Sequence, residues 1–148
     1  MIVKNAARTL EECLASVRGV VDEIVIADTG STDDTIEMAR RSGARVISIP
    51  WEDDFSHARN ISLAEVASDW VLSLDADERL DPGARGEFPG VLDHTNVCGF
   101  LVPIRNYVRD PAMKIWDRAA RPNDGSYSPA RTYPAFIEHE NVDRKSVV

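Results

Sequence analysis

Cysteine, aromatic and basic side chains are scarce in this 148-residue chain, and long apolar runs are missing altogether. Its two cysteines, Cys13 and Cys98, are too few for a disulfide framework and have no zinc-ligand spacing, so both read as buried thiols. No stretch approaches the ~18 to 20 consecutive apolar residues of a membrane helix, and the N-terminus carries neither a basic region nor a long apolar one. The expectation is a cytoplasmic protein, or one peripheral to the inner face of a membrane. A basic stripe is also missing. With a net charge of −8 and a pI near 4.8, the chain lacks the cations that displace phosphate counterions, which excludes a nucleic-acid partner.

What remains is 43% hydrophobic, enough for a core at the length of one domain. The acid is unevenly placed: residues 1–80 hold 8 basic and 16 acidic side chains, whereas residues 81–148 hold 9 of each. An acidic cluster that meets a phosphate needs a divalent cation between them.

Residues 1–80 alternate short β-branched runs with stretches of helical period, as parallel strands joined by crossover helices do. Strands are expected at Met1 to Lys4, Glu23 to Ala27, Arg45 to Ile49 and Trp70 to Leu74. Leu10, Cys13, Leu14 and Val17 form one apolar helix stripe, with Thr9 and Glu12 as a capping box. A second helix is expected over Asp33 to Ser42, stopped by Gly43, and a third capped by Ser56 with Ala58, Ile61 and Ala64 facing inward. The fold class is therefore α/β, a Rossmann-like, mainly parallel sheet of order 3-2-1-4 with helices on both faces. After residue 80, Pro82, Gly83, Gly86, Pro89 and Gly90 permit only short helical pieces. Val97 to Pro103 reads as a strand and Tyr127 to Ile137 as interrupted extended chain, suited to a lid or acceptor surface. The chain is expected to be one domain, with 1–80 as its ligand-binding half and 81–148 as its lid half.

In such sheets ligands bind at the carboxyl ends of the strands beside the switch in strand order. There lie Asn5, Asp28, Asp53 and Asp54, and then Asp75, Asp77 and Glu78. Asp75-Ala76-Asp77 is the sharpest feature, because extended backbone sets residues i and i+2 on one side, and paired hard oxygens suit Mg²⁺ or Mn²⁺ with phosphate oxygens completing the shell. Spacing alone proves nothing, since about 1.5 Asp-x-Asp triplets arise by chance at this composition. Position after the apolar run Trp70 to Leu74 carries the information. The competing reading is a solvated turn in which Asp77 caps a short helix. The turn Asp28 to Asp33 joins a strand to a helix, so its N–H groups could meet an anion or a base edge. It is neither a Walker loop nor a Gly-x-Gly-x-x-Gly turn. Asp28 could accept a uracil imide N–H and Arg59 could donate to the base carbonyls or to a phosphate. Trp51 could cover a base, or pack under the sheet edge.

Met1-Ile2-Val3-Lys4-Asn5, Val21 to Asp33 (VDEIVIADTGSTD), Trp51 to Asn60 (WEDDFSHARN) and Asp69 to Glu78 (DWVLSLDADE) together resemble family 2 glycosyltransferases, in particular the branch that includes lipopolysaccharide-core glucosyltransferases. The resemblance implies a GT-A fold, a nucleoside-diphosphate sugar donor, a divalent cation and inversion at the anomeric carbon. By position it implies that Asp28 and Arg59 hold the base, that Asp75 serves the ribose or diphosphate, and that Asp77 serves the metal. Ile137-Glu138-His139-Glu140 resembles the family's later His-Glu pair, which makes His139 a second candidate metal ligand. Asp117 is the candidate general base, with Glu87 as a substitute. The expected function is an inverting, Mn²⁺- or Mg²⁺-dependent transferase moving a hexose from a UDP-sugar to a glycan or lipid-linked hydroxyl, in cell-surface polysaccharide or lipopolysaccharide synthesis. A non-catalytic nucleotide-sugar-binding domain would keep Asp28, Arg59, Asp75 and Asp77 without turnover. A receiver-type phosphoacceptor would need a lysine near the end of a late strand, and Lys114 is the only one between Lys4 and Lys145.

Overall fold

The structure is a computed structural model and describes residues 1–93, 102–108, 114–115, 118–119, 121–122 and 135–140. The chain divides into two compact units, Met1–Asn96 and Val97–Val148. The first unit runs β1 (Ile2–Val3), α1 (Ala7–Val17), β2 (Val25–Asp28), α2 (Thr35–Arg41), β3 (Arg45–Ser48) and α3 (Phe55–Ala64), followed by a 3₁₀ turn at Ala84–Gly86 and α4 (Phe88–Leu92). Its three strands are parallel in the order β1-β2-β3, with Val3 opposite Asp28 and Asp28 opposite Ser48. That matches the first three places of the expected 3-2-1-4 order.

Leu10, Cys13, Leu14 and Val17 are all buried, as the helical spacing of α1 predicts. Leu10 and Leu14 pack with Val3, Ile26, Ala39 and Ala44 into the core between sheet and helices. Gly43 ends α2 as expected. Its φ is +85°, and the N–H groups of Gly43 and Ala44 return to the carbonyls of Arg40 and Ala39, closing the left-handed helix stop that glycine adopts without steric cost.

The caps differ from the expectation. Thr9 lies inside the first turn of α1 and donates to the Ala6 carbonyl at 3.4 Å, so the Thr9/Glu12 box does not form. Instead Thr35 Oγ1 accepts from the Ala6 N–H at 2.8 Å and Asp33 Oδ2 from the Ala7 N–H at 3.2 Å. The start of α1 is thus capped from the start of α2, by residues distant in sequence. Asp33 is occupied outside the helix, and α2 begins two residues later than expected. Asp54, not Ser56, caps α3: its Oδ1 accepts from the N–H groups of Ser56 and His57 at 2.8 and 3.0 Å. The buried face of α3 is Ala58 and Ser62, while Ile61 is half-buried and Ala64 exposed.

The fourth expected strand is absent. Residues 70–74 join no ladder, and β1, with only two paired residues, presents a short edge for them to join. From Ser73 to Glu78 exposed and half-buried residues still alternate, so the segment keeps the burial pattern of a strand without its hydrogen bonds.

The second unit is antiparallel. β4 (Pro103–Val108), β7 (Arg121–Pro122) and β8 (Ala135–Glu140) form a sheet of order β4-β8-β7, and β5 (Lys114–Ile115) pairs with β6 (Arg118–Ala119). Of the expected strand over Val97 to Pro103, residues 97–101 lie outside the described residues, and β4 begins at its last residue. Likewise β8 begins within the expected extended stretch, of which 127–134 lie outside the described residues. Among the described residues no helix is long and apolar enough to cross a membrane.

Candidate functional site

Asp28 ends β2 at the carboxyl edge of the sheet and is 1% exposed. Its Oδ1 accepts from the N–H groups of Gly30 and Ser31 at 3.0 and 2.9 Å, in a turn that Gly30 enters at φ +99°. Its Oδ2 is buried and has no hydrogen-bond partner among the described residues. A buried acceptor left unpaired costs about 1–3 kcal/mol, so this oxygen marks a place where an N–H donor would be stabilising.

The N–H groups of the turn that follows are already used. Thr29 donates to the Val3 carbonyl at 3.0 Å, Thr32 to Asn5 Oδ1 at 2.8 Å, and Gly30 and Ser31 to Asp28. The anion site expected in these backbone donors is therefore not formed, because the Val3 carbonyl and the short Asn5 and Asp28 side chains have taken them. Asn5 has φ +51°, a left-handed conformation that Asn tolerates, and its own N–H donates to Ser31 Oγ at 2.8 Å. It stitches the end of β1 to the turn after β2. The pKa of Asp33 is lowered, first by the hydrogen bond from the Thr35 hydroxyl, with the Ala7 and Thr35 N–H groups adding to it.

Three other expected residues meet in one place. A cleft of about 260 Å³ is lined by Ile2, Val3, Lys4 and Ala6, by Phe55 and Arg59 one turn apart on α3, and by Asp75, Ala76 and Asp77. Arg59 reaches Asp75 Oδ1 at 4.0 Å. An exposed pair of that length is worth about 0–1 kcal/mol, so a phosphate can readily displace it. Asp75 and Asp77 do not sit on extended backbone as expected. The Glu78 N–H donates to the Asp75 carbonyl at 3.0 Å, closing a turn, and Glu78 Oε2 accepts from the Asp75 N–H at 2.9 Å. Nor does Asp77 cap a helix there. Both carboxylates are exposed to the cleft side of the turn's surface. Among the described residues no group of three His, Cys, Asp or Glu side chains is placed to hold a metal. Two hard carboxylates nonetheless fit Mg²⁺ or Mn²⁺, ions that are held by one or two protein carboxylates and completed by water and phosphate oxygens.

Asn5 and Asp28 do not line this cleft. His139 lies on β8 of the second unit, its backbone opposite Ile104. Asp117 and His94 lie outside the described residues. Glu87 is exposed, just past the 3₁₀ turn. Phe55 is a residue that sequence reasoning missed: it is 60% exposed at the cleft, with its ring 4.7 Å from that of Trp51 in an edge-on contact. The Trp51 indole donates to Asp53 Oδ1 at 2.8 Å, and Asp53 has φ +55°. The available signal was the placement of Phe55 directly after a capping Asp, off the buried face of α3. Cys13, fully buried on α1, donates to the Asp75 carbonyl at 3.4 Å, and burial pushes its pKa up to about 12, so it stays a thiol.

Comparison with known proteins places this geometry. The chain is 45% identical over 102 residues to a TPR repeat-containing protein of Synechococcus elongatus, covering 69% of this chain and 25% of that protein. It is 38% identical over 103 residues to an uncharacterized glycosyltransferase of Rickettsia felis, covering 68% and 35%. The chain thus spans about a quarter to a third of these curated relatives. Among solved structures it resembles the glucosyl-3-phosphoglycerate synthase of Mycobacterium tuberculosis in complex with Mn²⁺ and UDP-glucose, with 29% identity and a TM-score of 0.52 over 68% of this chain and 39% of that one. The same enzyme with phosphoglyceric acid gives 29% and 0.52, over 68% and 40%. The fold is the α/β GT-A type, with its parallel sheet and helices. The model of Glycosyl transferase family 2 matches residues 1–139, and the chain belongs to that family.

Proposed function

We propose that this chain is the donor-binding part of a metal-dependent glycosyltransferase that moves a hexose from a UDP-sugar to a hydroxyl acceptor with inversion. The observation that carries this reading is the joining of Arg59, Asp75 and Asp77 in one cleft beside the carboxyl end of a parallel sheet, in a family 2 chain. The similarity to an enzyme solved with Mn²⁺ and UDP-glucose supports the choice of donor. Asp77 would hold the cation and Asp75 would serve the ribose or diphosphate, with His139 as a further candidate metal ligand and Asn5 as a further candidate for donor binding, both from the sequence. When bound, Mn²⁺ or Mg²⁺ offsets charge gathering on the departing diphosphate. Arg59 releases Asp75 and donates to a diphosphate oxygen or to the base. Asp28 Oδ2 accepts the imide N–H of uracil; because that oxygen is covered, the turn at residues 29–33 opens to admit the base. Asp117 accepts the proton of the attacking hydroxyl as the bond to the anomeric carbon forms and the diphosphate leaves.

The acceptor is a glycan or lipid-linked hydroxyl in cell-surface polysaccharide or lipopolysaccharide synthesis, and the setting is the cytoplasm or the inner face of the membrane, where nucleotide sugars are available. The −8 net charge makes the donor's dependence on a cation the sharpest test. In calorimetric titration, UDP should bind in Mn²⁺ and bind at least tenfold more weakly in chelator. Equal affinity in both would remove the metal from the reading, and no binding in either would remove the donor.

A further inference from the structure

In an extended sheet a ladder would fix the Asp75–Asp77 turn, but here residues 70–74 are not part of a strand. Beyond the turn's own Asp75–Glu78 hydrogen bonds, one face of α1 anchors its backbone. The Cys13 thiol donates to the Asp75 carbonyl at 3.4 Å. Ser16 Oγ, also buried, accepts from the Leu80 N–H at 3.0 Å while donating to the Cys13 carbonyl at 2.6 Å. Leu80 is itself buried, so the serine hydroxyl supplies the partner that a ladder would have supplied. Between these two anchors Ala76 packs on the core, and Arg79 pairs with Glu12, one residue before Cys13. The anchors thus lie on both sides of Asp77, and they belong to the helix rather than to the sheet that carries Asp28.

We propose that Cys13 and Ser16 are positioning residues for the donor site, setting the Asp75–Asp77 carboxylates for a divalent cation and diphosphate while leaving the Asp28 region untouched. The inference rests on the proposed donor reading. It explains why a buried serine, and a thiol in place of an aliphatic side chain, stand at i+3 and i on the packed face of α1. Neither residue lines the cleft. Their effect passes through the backbone of residues 75–80.

The test compares the parent with Ser16→Ala, Cys13→Ala and Cys13→Ser, each checked for folding by circular dichroism. Two affinities are measured by calorimetry: uridine without metal, and UDP with and without Mn²⁺. Ser16→Ala and Cys13→Ala should lose about tenfold or more of the Mn²⁺-dependent gain in UDP affinity, the usual effect of disturbing groups that orient metal ligands. Uridine affinity should stay within about twofold, since Asp28 is held by the sheet. Cys13→Ser, which keeps a donor for the Asp75 carbonyl, should restore most of the gain. In Ser16→Ala the Leu80 amide should also exchange with solvent faster than those of β2, a local signature that reports even if stability falls. A parent that gains nothing from Mn²⁺ would defeat the donor reading and this one with it. A parent that gains, beside variants with the same gain or with uridine and UDP lost in proportion, would overturn the positioning role alone.

Discussion

Asp28, on the sheet edge, and Asp77, on a turn outside the sheet, are carboxylates held in opposite ways. Asp28 is the last residue of a strand paired on both sides, buried, with one oxygen fixed by two backbone donors. Asp77 is exposed on a turn that lies outside the sheet, and α1 side chains secure that turn. In the proposed reading a base meets Asp28 only once the turn at residues 29–33 has moved, while β2, paired on both sides, keeps the backbone that carries the carboxylate in place. A cation with a diphosphate needs carboxylates that can adjust and stay hydrated until the ligand arrives. Under the proposed donor reading, the difference between the two regions would divide reading a nucleoside from neutralising its phosphates.

The comparison breaks most completely if the sheet itself is loosened. Ile26 is fully buried beside Asp28, and Ile26→Ala should cost about 2–5 kcal/mol in urea unfolding, lowering uridine and UDP binding together. The next largest effect separates the two carboxylates. Asp28→Asn keeps an oxygen for Gly30 and Ser31 but turns the unpaired acceptor into a donor, so UDP affinity should fall at least tenfold while CDP, whose ring nitrogen accepts, gains. Asp77→Asn should leave uridine affinity and stability unchanged, to within about 0.5 kcal/mol, and abolish most of the Mn²⁺ effect on UDP. A uridine loss equal to the UDP loss in Asp77→Asn would erase the distinction.

The smallest effect is a pH dependence. The pKa of Asp33 is lowered in the folded state by the Thr35 hydroxyl and by backbone donors, including the N–H of Ala7 at the start of α1. A lowered folded pKa contributes stability that is present above the unfolded value, near 4, and is lost as pH falls through the folded one. The melting temperature should therefore drop below about pH 4 more steeply in the parent than in Asp33→Asn. Identical acid slopes would mean that Asp33 does not link α1 to α2.

The parts of the fold legible in the sequence were those carried by local pattern. The stripe Leu10, Cys13, Leu14, Val17, the glycine stop at Gly43 and the three β-branched runs each encode their structure within a few residues. The caps of α1 were not legible, because Asp33 and Thr35 reach them across more than 25 residues. The apolar run at 70–74 misled for a related reason: period-two burial records which residues face the core, and says nothing of whether a neighbouring strand offers a ladder. Asp28, Asp75 and Asp77 stood out by residue type and by position after expected strands, and Arg59 by its place in the block Trp51 to Asn60. Phe55 did not, since an exposed ring and a buried one look alike in sequence.

By itself the sequence determined the βα alternation, the acid-rich edge and the residue types able to meet a cation and a nucleotide, since each depends on side-chain chemistry and short-range spacing. Only the tertiary structure decided which of those groups are already engaged. The Thr32 N–H is taken by Asn5 and those of Gly30 and Ser31 by Asp28, Arg59 and Asp75 are paired across the cleft, and the Asp75–Asp77 turn hangs from α1 instead of a fourth strand. Hydrogen bonds join partners that are near in space, and nearness between residues 13 and 75, or 6 and 35, exists only once the chain has packed.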